Sequence, residues 1–176
     1  MKDPLDNLED PAEQKPHLAA GSFSGLSVLV VGGGGSIGAA CAWLAARLGA
    51  RVMIAGRKPE KLDKVQAAMS ARGLPCESSV VDIRDRASVE ALFDRCEAAI
   101  GVPDLVVQSA GGQFPSAAID ISEKGWKAVV DTNLNGSFNV MQTAAQRWRR
   151  AQRGGSLVNI VVSPRGLHGV SHTADR

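Results

Sequence analysis

Residues 24–62 read SGLSVLVVGGGGSIGAACAWLAARLGARVMIAGRKPEKL, and the succession of textures in that stretch decides the fold. Leu26 to Val31 are almost wholly apolar β-formers, the pattern of a parallel strand buried on both faces. Glycines follow, then helix-like text from Ser36 to Leu48, then a second apolar strand, RVMIA. A strand that passes through glycines into a helix makes a turn without Cβ atoms, and the helix points its unbonded N–H groups at that turn. Such a place suits an anion like a pyrophosphate, held by backbone N–H groups and the helix dipole. Gly32, Gly34, Gly35, Ser36, Ile37 and Gly38 are therefore the candidate phosphate-binding positions. A glycine run by itself also fits a merely flexible turn; its placement between strand and helix favours the anion site.

Working outward, PEKLDKVQAAMSAR reads as a helix opened by Pro59, CESSVVDI as a third strand and DRASVEALFDRCEAAI as the next helix. PDLVVQSA and SLVNIVV add two strands, separated by a helical stretch from about Glu123 to Arg150. The alternation implies right-handed crossovers and an α/β fold, a Rossmann-like doubly wound parallel sheet with strand order 3-2-1-4-5 and the first strand central. A chain of 176 residues with 44% hydrophobic content buries the core of one such domain. Residues 1–22 alternate acids with prolines and lack an apolar run, so they are expected to be a mobile tail and neither a signal peptide nor a membrane span, with the nucleotide-binding domain over 23–176. The net charge of +2 comes from mixed signs with no basic tract, which speaks against nucleic acid as a partner. Cys41, Cys76 and Cys96 are odd in number and widely spaced, without a CxxC pair or a His at ligand spacing, so no metal site is expected and a reducing cytoplasm fits best.

Cofactor choice is read at the end of the second strand. A carboxylate there accepts from the ribose hydroxyls of NAD, but Gly56 is followed by Arg57 and Lys58. Arg57 can form a fork of charge-assisted bonds to a 2′-phosphate, so NADP(H) is the expected cofactor. The alternative for Arg57 is a solvated surface charge.

The chain resembles the short-chain dehydrogenase/reductase family. The family signature Thr-Gly-x-x-x-Gly-Ile-Gly is matched by Gly32, Ile37 and Gly38, with Val31 at the Thr place and Ser36 at the middle Gly. Asp82 and Ile83 match the pair after the third strand that holds the adenine ring. In QSAG, residues 108–111, Ala110 and Gly111 match the family's Asn-Asn-Ala-Gly while the two amides do not. DTNLNGSFNV is similar to the Asn-x-x-Gly helix, and the resemblance puts Asn133 at the active-site Asn that holds a proton-relay water. The run SAGGQF and its surroundings are most similar to the branch that reduces enoyl- and dienoyl-thioesters of coenzyme A with NADPH, which implies a small-molecule acyl-CoA substrate.

The resemblance also implies a Ser after the fifth strand and a Tyr-x-x-x-Lys pair on the next helix, where the Tyr exchanges a proton with the substrate. The sequence holds no tyrosine and ends at VSHTADR, where that helix would begin. The domain is therefore expected to lack the last strands of the family fold, and the chain to be inactive alone. Ser163 is the candidate for the family Ser, although NIVVSPRG carries one extra residue and Ser163 before Pro164 also fits an ordinary turn. His168 and His172 read as solvated, Trp126, Trp148 and Phe138 as core or interface residues, Asp131 as solvated and Asp104 as the start of a strand. A homo-oligomer through the long helix is expected, because family members pair there. The reading from a different class is a non-catalytic nucleotide-binding module.

Overall fold

The computed structural model describes residues 18–161. In chain order these form β1 (Ser27–Val31), α1 (Ser36–Arg47), β2 (Arg51–Gly56), α2 (Pro59–Ser70), β3 (Glu77–Val80), α3 (Arg86–Ile100), β4 (Leu105–Gln108), a 3₁₀ turn (Ala118–Asp120), α4 (Glu123–Val129), a π-helical segment (Val130–Gly136), α5 (Ser137–Arg150) and β5 (Ser156–Asn159). The sheet runs β3-β2-β1-β4-β5, and every pairing is parallel. The Rossmann-like order expected from the alternation is the order observed.

Strand periodicity explains how one sheet carries two cores. Successive side chains leave a strand on opposite faces, and β1 is central, so all five of its residues are buried. Leu29 and Val31 pack with Leu92, Phe93 and Cys96 of α3 and Val140 and Ala144 of α5. Val28 and Val30 pack on the other face with Ala39 and Trp43 of α1 and Leu62 and Met69 of α2. The helix starts follow from their capping residues: the Asp85 carboxylate accepts from the Ala87 N–H at 3.0 Å, and the Ser122 hydroxyl accepts from the Gly125 N–H at 3.1 Å.

The helical stretch from Glu123 to Arg150 is continuous but not uniform, since one widened π turn separates α4 from α5. Sequence periodicity carries no signature of that turn, and such turns collect at functional sites. The fifth strand ends at Asn159 rather than continuing through SLVNIVV, although the Ile160 N–H still donates to the Gln108 carbonyl at 2.9 Å. Asp104 stands just ahead of β4, where its carboxylate accepts from the Ser27 N–H at 2.8 Å and pairs with Arg153. Trp148 packs against the α3/α5 core and donates its indole N–H to the Pro103 carbonyl, whereas Trp126 and Phe138 are exposed. Asp131 forms an ion pair with Lys127 at 3.3 Å. Of the expected tail, only residues 18–22 are described; Ser163, His168 and His172 lie outside the described residues. No helix among the described residues is long and apolar enough to cross a membrane.

Candidate cofactor site

The carboxyl ends of β1, β2, β3 and β4 open onto one cleft, lined by Val31, Gly32, Gly34, Gly35, Gly56, Arg57, Lys58, Lys61, Leu62, Val81, Asp82, Ile83, Ser109, Ala110, Gly111 and Thr132. A crevice at this end of a parallel sheet, where the strand order reverses beside β1, is where such folds take their ligands.

The floor of the cleft is the glycine turn. Gly32 has φ +88°, and a Cβ there would lie 2.6 Å from the Ala110 nitrogen and 2.6 Å from the Ser109 hydroxyl oxygen. Gly38, one turn into α1, sits over the same peptide: a Cβ on it would lie 2.3 Å from the Gly32 carbonyl oxygen. These two absences of a side chain let β4, the turn and α1 stack directly on one another. No side chain caps α1 at Gly35, so the first N–H groups of the helix have no intrahelical or side-chain partner. A pyrophosphate fits this cradle of backbone donors and open glycine surface.

Gly32, Gly34, Gly35, Arg57, Lys58, Asp82, Ile83, Ala110 and Gly111 all line the cleft as the sequence places them. Ser36, Ile37 and Gly38 do not line it: Ile37 is exposed, and Gly38 is buried as a packing position between α1 and the turn. Five further lining residues escape the sequence reading. Lys61 and Leu62 come from α2, Val81 follows β3, Ser109 follows β4 and Thr132 comes from the π segment.

Asp82 is held in place by Arg84. The Arg84 Nε donates to Oδ1 at 2.9 Å and its Nη2 to Oδ2 at 2.5 Å, while the Arg84 backbone N–H donates to Oδ1 at 3.1 Å. These bonds, reinforced by the charges of Arg84 and Arg57, hold the Asp82 carboxyl below its ordinary range against the opposing effect of partial burial. Ile83 beside it is fixed by Asn139, which donates to its carbonyl at 2.9 Å, and by Gly136, whose missing Cβ would lie 2.7 Å from Ile83 Cγ1.

The π turn carries Asn133 to the loop after β4. Its Oδ1 accepts from the Gly112 N–H at 2.9 Å and its Nδ2 donates to the Gly112 carbonyl at 2.8 Å, so the side-chain amide clasps both polar groups of one peptide residue. Asn133 therefore anchors the Gly111–Gly112 corner to the helix. Gln108, at the place of a family Asn, is 1% exposed and donates to the Ala110 carbonyl at 2.9 Å and to Ser137 Oγ at 3.1 Å; its Oε1 has no partner.

This architecture agrees with comparisons against known proteins. The short chain dehydrogenase family model matches residues 27–174. The chain belongs to the short-chain dehydrogenase family. A probable 2,4-dienoyl-CoA reductase of Caenorhabditis elegans is 36% identical over 152 residues, which cover 85% of this chain and 49% of that protein. A second probable 2,4-dienoyl-CoA reductase of the same organism is 34% identical, covering 87% of this chain and 50% of its own length. Among solved structures, a citronellol catabolism dehydrogenase of Pseudomonas aeruginosa PAO1 superposes with a TM-score of 0.79 at 34% identity, over 87% of this chain and 62% of that one. An actinorhodin polyketide ketoreductase variant crystallised with NADPH gives 0.79 at 28% identity, over 89% and 60%. This short-chain dehydrogenase chain spans about half the length of the curated relatives it matches first.

Proposed function

We propose that the chain forms the NADP(H)-binding part of a reductase acting on enoyl- or dienoyl-thioesters of coenzyme A. The observation that carries the cofactor choice is the wall of the cleft at the end of β2, where Arg57 and Lys58 stand in place of a carboxylate. The similarity to 2,4-dienoyl-CoA reductases supports the thioester substrate. When bound, the nicotinamide supplies the hydride. The glycine turn and the first turn of α1 would hold the pyrophosphate, Arg57 and Lys58 the 2′-phosphate, Asp82 and Ile83 the adenine. Asn133 fixes the loop after β4 through Gly112, and Ser163 remains the candidate for the family serine.

NADPH is expected to bind more tightly than NADH, and Arg57→Ala to weaken NADPH by about 1.5–3 kcal/mol, the scale of a hydrogen bond to a charged group. Fluorescence or calorimetric titration measures both, and equal affinities in the unsubstituted chain defeat the assignment. The second reading is a nucleotide-binding module without catalysis, favoured by the absence of tyrosine from all 176 residues. The three unpaired cysteines support a reducing compartment such as the cytoplasm.

The homo-oligomer stays part of the proposal. Trp126, Leu134, Phe138 and Met141 recur at helical spacing and are exposed at 53%, 66%, 54% and 38%. A second copy is the proposed cover. Light scattering of the purified chain is expected to give a dimer or larger species, and Phe138→Glu to shift it toward monomer; a monomer at tens of micromolar speaks against the contact.

A further inference from the structure

Lys61 meets the cleft from the first turn of α2, and it does so because Gly34 has no side chain. A Cβ built on Gly34 would lie 3.0 Å from the Lys61 Cβ and 3.6 Å from Leu62 Cδ2. The rotation of α2 about its axis is fixed by Leu62, only 2% exposed in the core beneath, and by the Lys61 N–H, which donates to the Lys58 carbonyl at 3.1 Å. The root of the lysine is thus rigid, and Lys61 lines the same cleft as Arg57 and Lys58. Among the described residues no carboxylate pairs with Lys61; the ion pairs of this fold lie elsewhere, at Arg84–Asp82 for example.

The glycine turn offers an anion only backbone N–H groups, which suit a pyrophosphate diester. A phosphomonoester carries more charge on fewer atoms and calls for cations. The side chains that can supply them must come from the end of β2 and from α2. We infer that Lys61 is a specificity-determining residue for the ribose 2′-phosphate, gripping it from the Gly34 side while Arg57 grips it from the end of β2. The inference rests on the NADP(H) reading and adds a residue to it.

Adenosine 2′,5′-bisphosphate and 5′-AMP differ only in the 2′-phosphate, so their affinities for the full chain, for Lys61→Gln, for Lys61→Arg and for Arg57→Gln isolate the contact. Circular dichroism checks that each variant folds. Lys61→Gln is expected to lower the affinity for the bisphosphate about tenfold, the usual effect of one charged hydrogen bond, with 5′-AMP unchanged and Lys61→Arg close to the parent. If Lys61→Gln keeps the full preference for the bisphosphate while Arg57→Gln loses it, the inference is overturned and the NADP(H) reading stands. An equal loss for both nucleotides assigns Lys61 to the 5′-phosphate and also overturns the inference. A parent chain that shows no preference at all defeats the NADP(H) reading first.

Discussion

Replacing Gly32 or Gly38 with alanine is expected to destabilise the fold by about 3 kcal/mol or more and to abolish nucleotide binding. At Gly32 two effects add. The backbone holds φ at +88°, which an L side chain adopts only under strain, and the new methyl would stand 2.6 Å from the backbone nitrogen of Ala110. At Gly38 the backbone conformation is helical, but the methyl would press to 2.3 Å from the Gly32 carbonyl oxygen and 2.7 Å from its carbon. Backbone cannot turn aside as a flexible side chain can, so α1 would have to lift from the turn, and the backbone donors aimed at the pyrophosphate would move with it. Domains hold together by only about 5–15 kcal/mol, so either change takes a large share of the total. Gly154 is the control, since a Cβ there meets nothing within 4 Å. Thermal unfolding and NADPH titration of the three variants read the prediction. A Gly38→Ala protein with parental melting temperature and affinity would show that the turn is not packed as described.

These same two glycines show why the fold was legible. The run Val28–Val31 followed by Gly32 encodes a buried strand, a sharp turn and a close approach within a few residues, and each is a local property of the chain. Arg57 was legible for the same reason, since its place follows from where β2 ends. Lys61 was not, because its presence at the cleft depends on how far α2 rotates to bury Leu62, and on an opening left by a glycine 27 positions earlier, 61 less 34. The signal was faint but real: Pro59 fixes the start of α2, and from there the buried face of Leu62 implies the position of its neighbour. The clasp of Asn133 on Gly112 was hidden more deeply. A π turn inserts its extra residue without changing composition or apolar spacing enough to be read, yet that insertion carries the amide to the loop. Gly38 marks the converse limit, where a motif position also serves a close contact between the chain and itself.

Incubated with NADPH and crotonyl-CoA or a decenoyl-CoA, these 176 residues are expected to bind the nucleotide and to oxidise none of it measurably. In the reduction of an enoyl-thioester a bound dihydronicotinamide would supply the hydride for the β-carbon, and the α-carbon would need a proton as well. The hydride belongs to the cofactor; the proton must come through a positioned group. General acids of this kind contribute roughly 10²–10⁴-fold in rate. Tyrosine, the donor the family resemblance implies, occurs nowhere in the sequence. The hydroxyls at the cleft are already committed: Ser109 donates to the Val31 carbonyl at 2.8 Å and Thr132 to the Ala128 carbonyl at 2.8 Å. Asp82 stays ionised, because Arg84 holds its carboxyl below the ordinary range, so it has no proton to give near neutral pH. Asn133 has both ends of its amide on Gly112. Nicotinamide absorbance followed alongside a calorimetric binding isotherm separates binding from chemistry. Binding without turnover is the expected pair of results. Turnover that scales with protein concentration would mean that a proton donor lies among these residues after all, and its loss in Ser163→Ala or Asn133→Ala would show where to look for the relay.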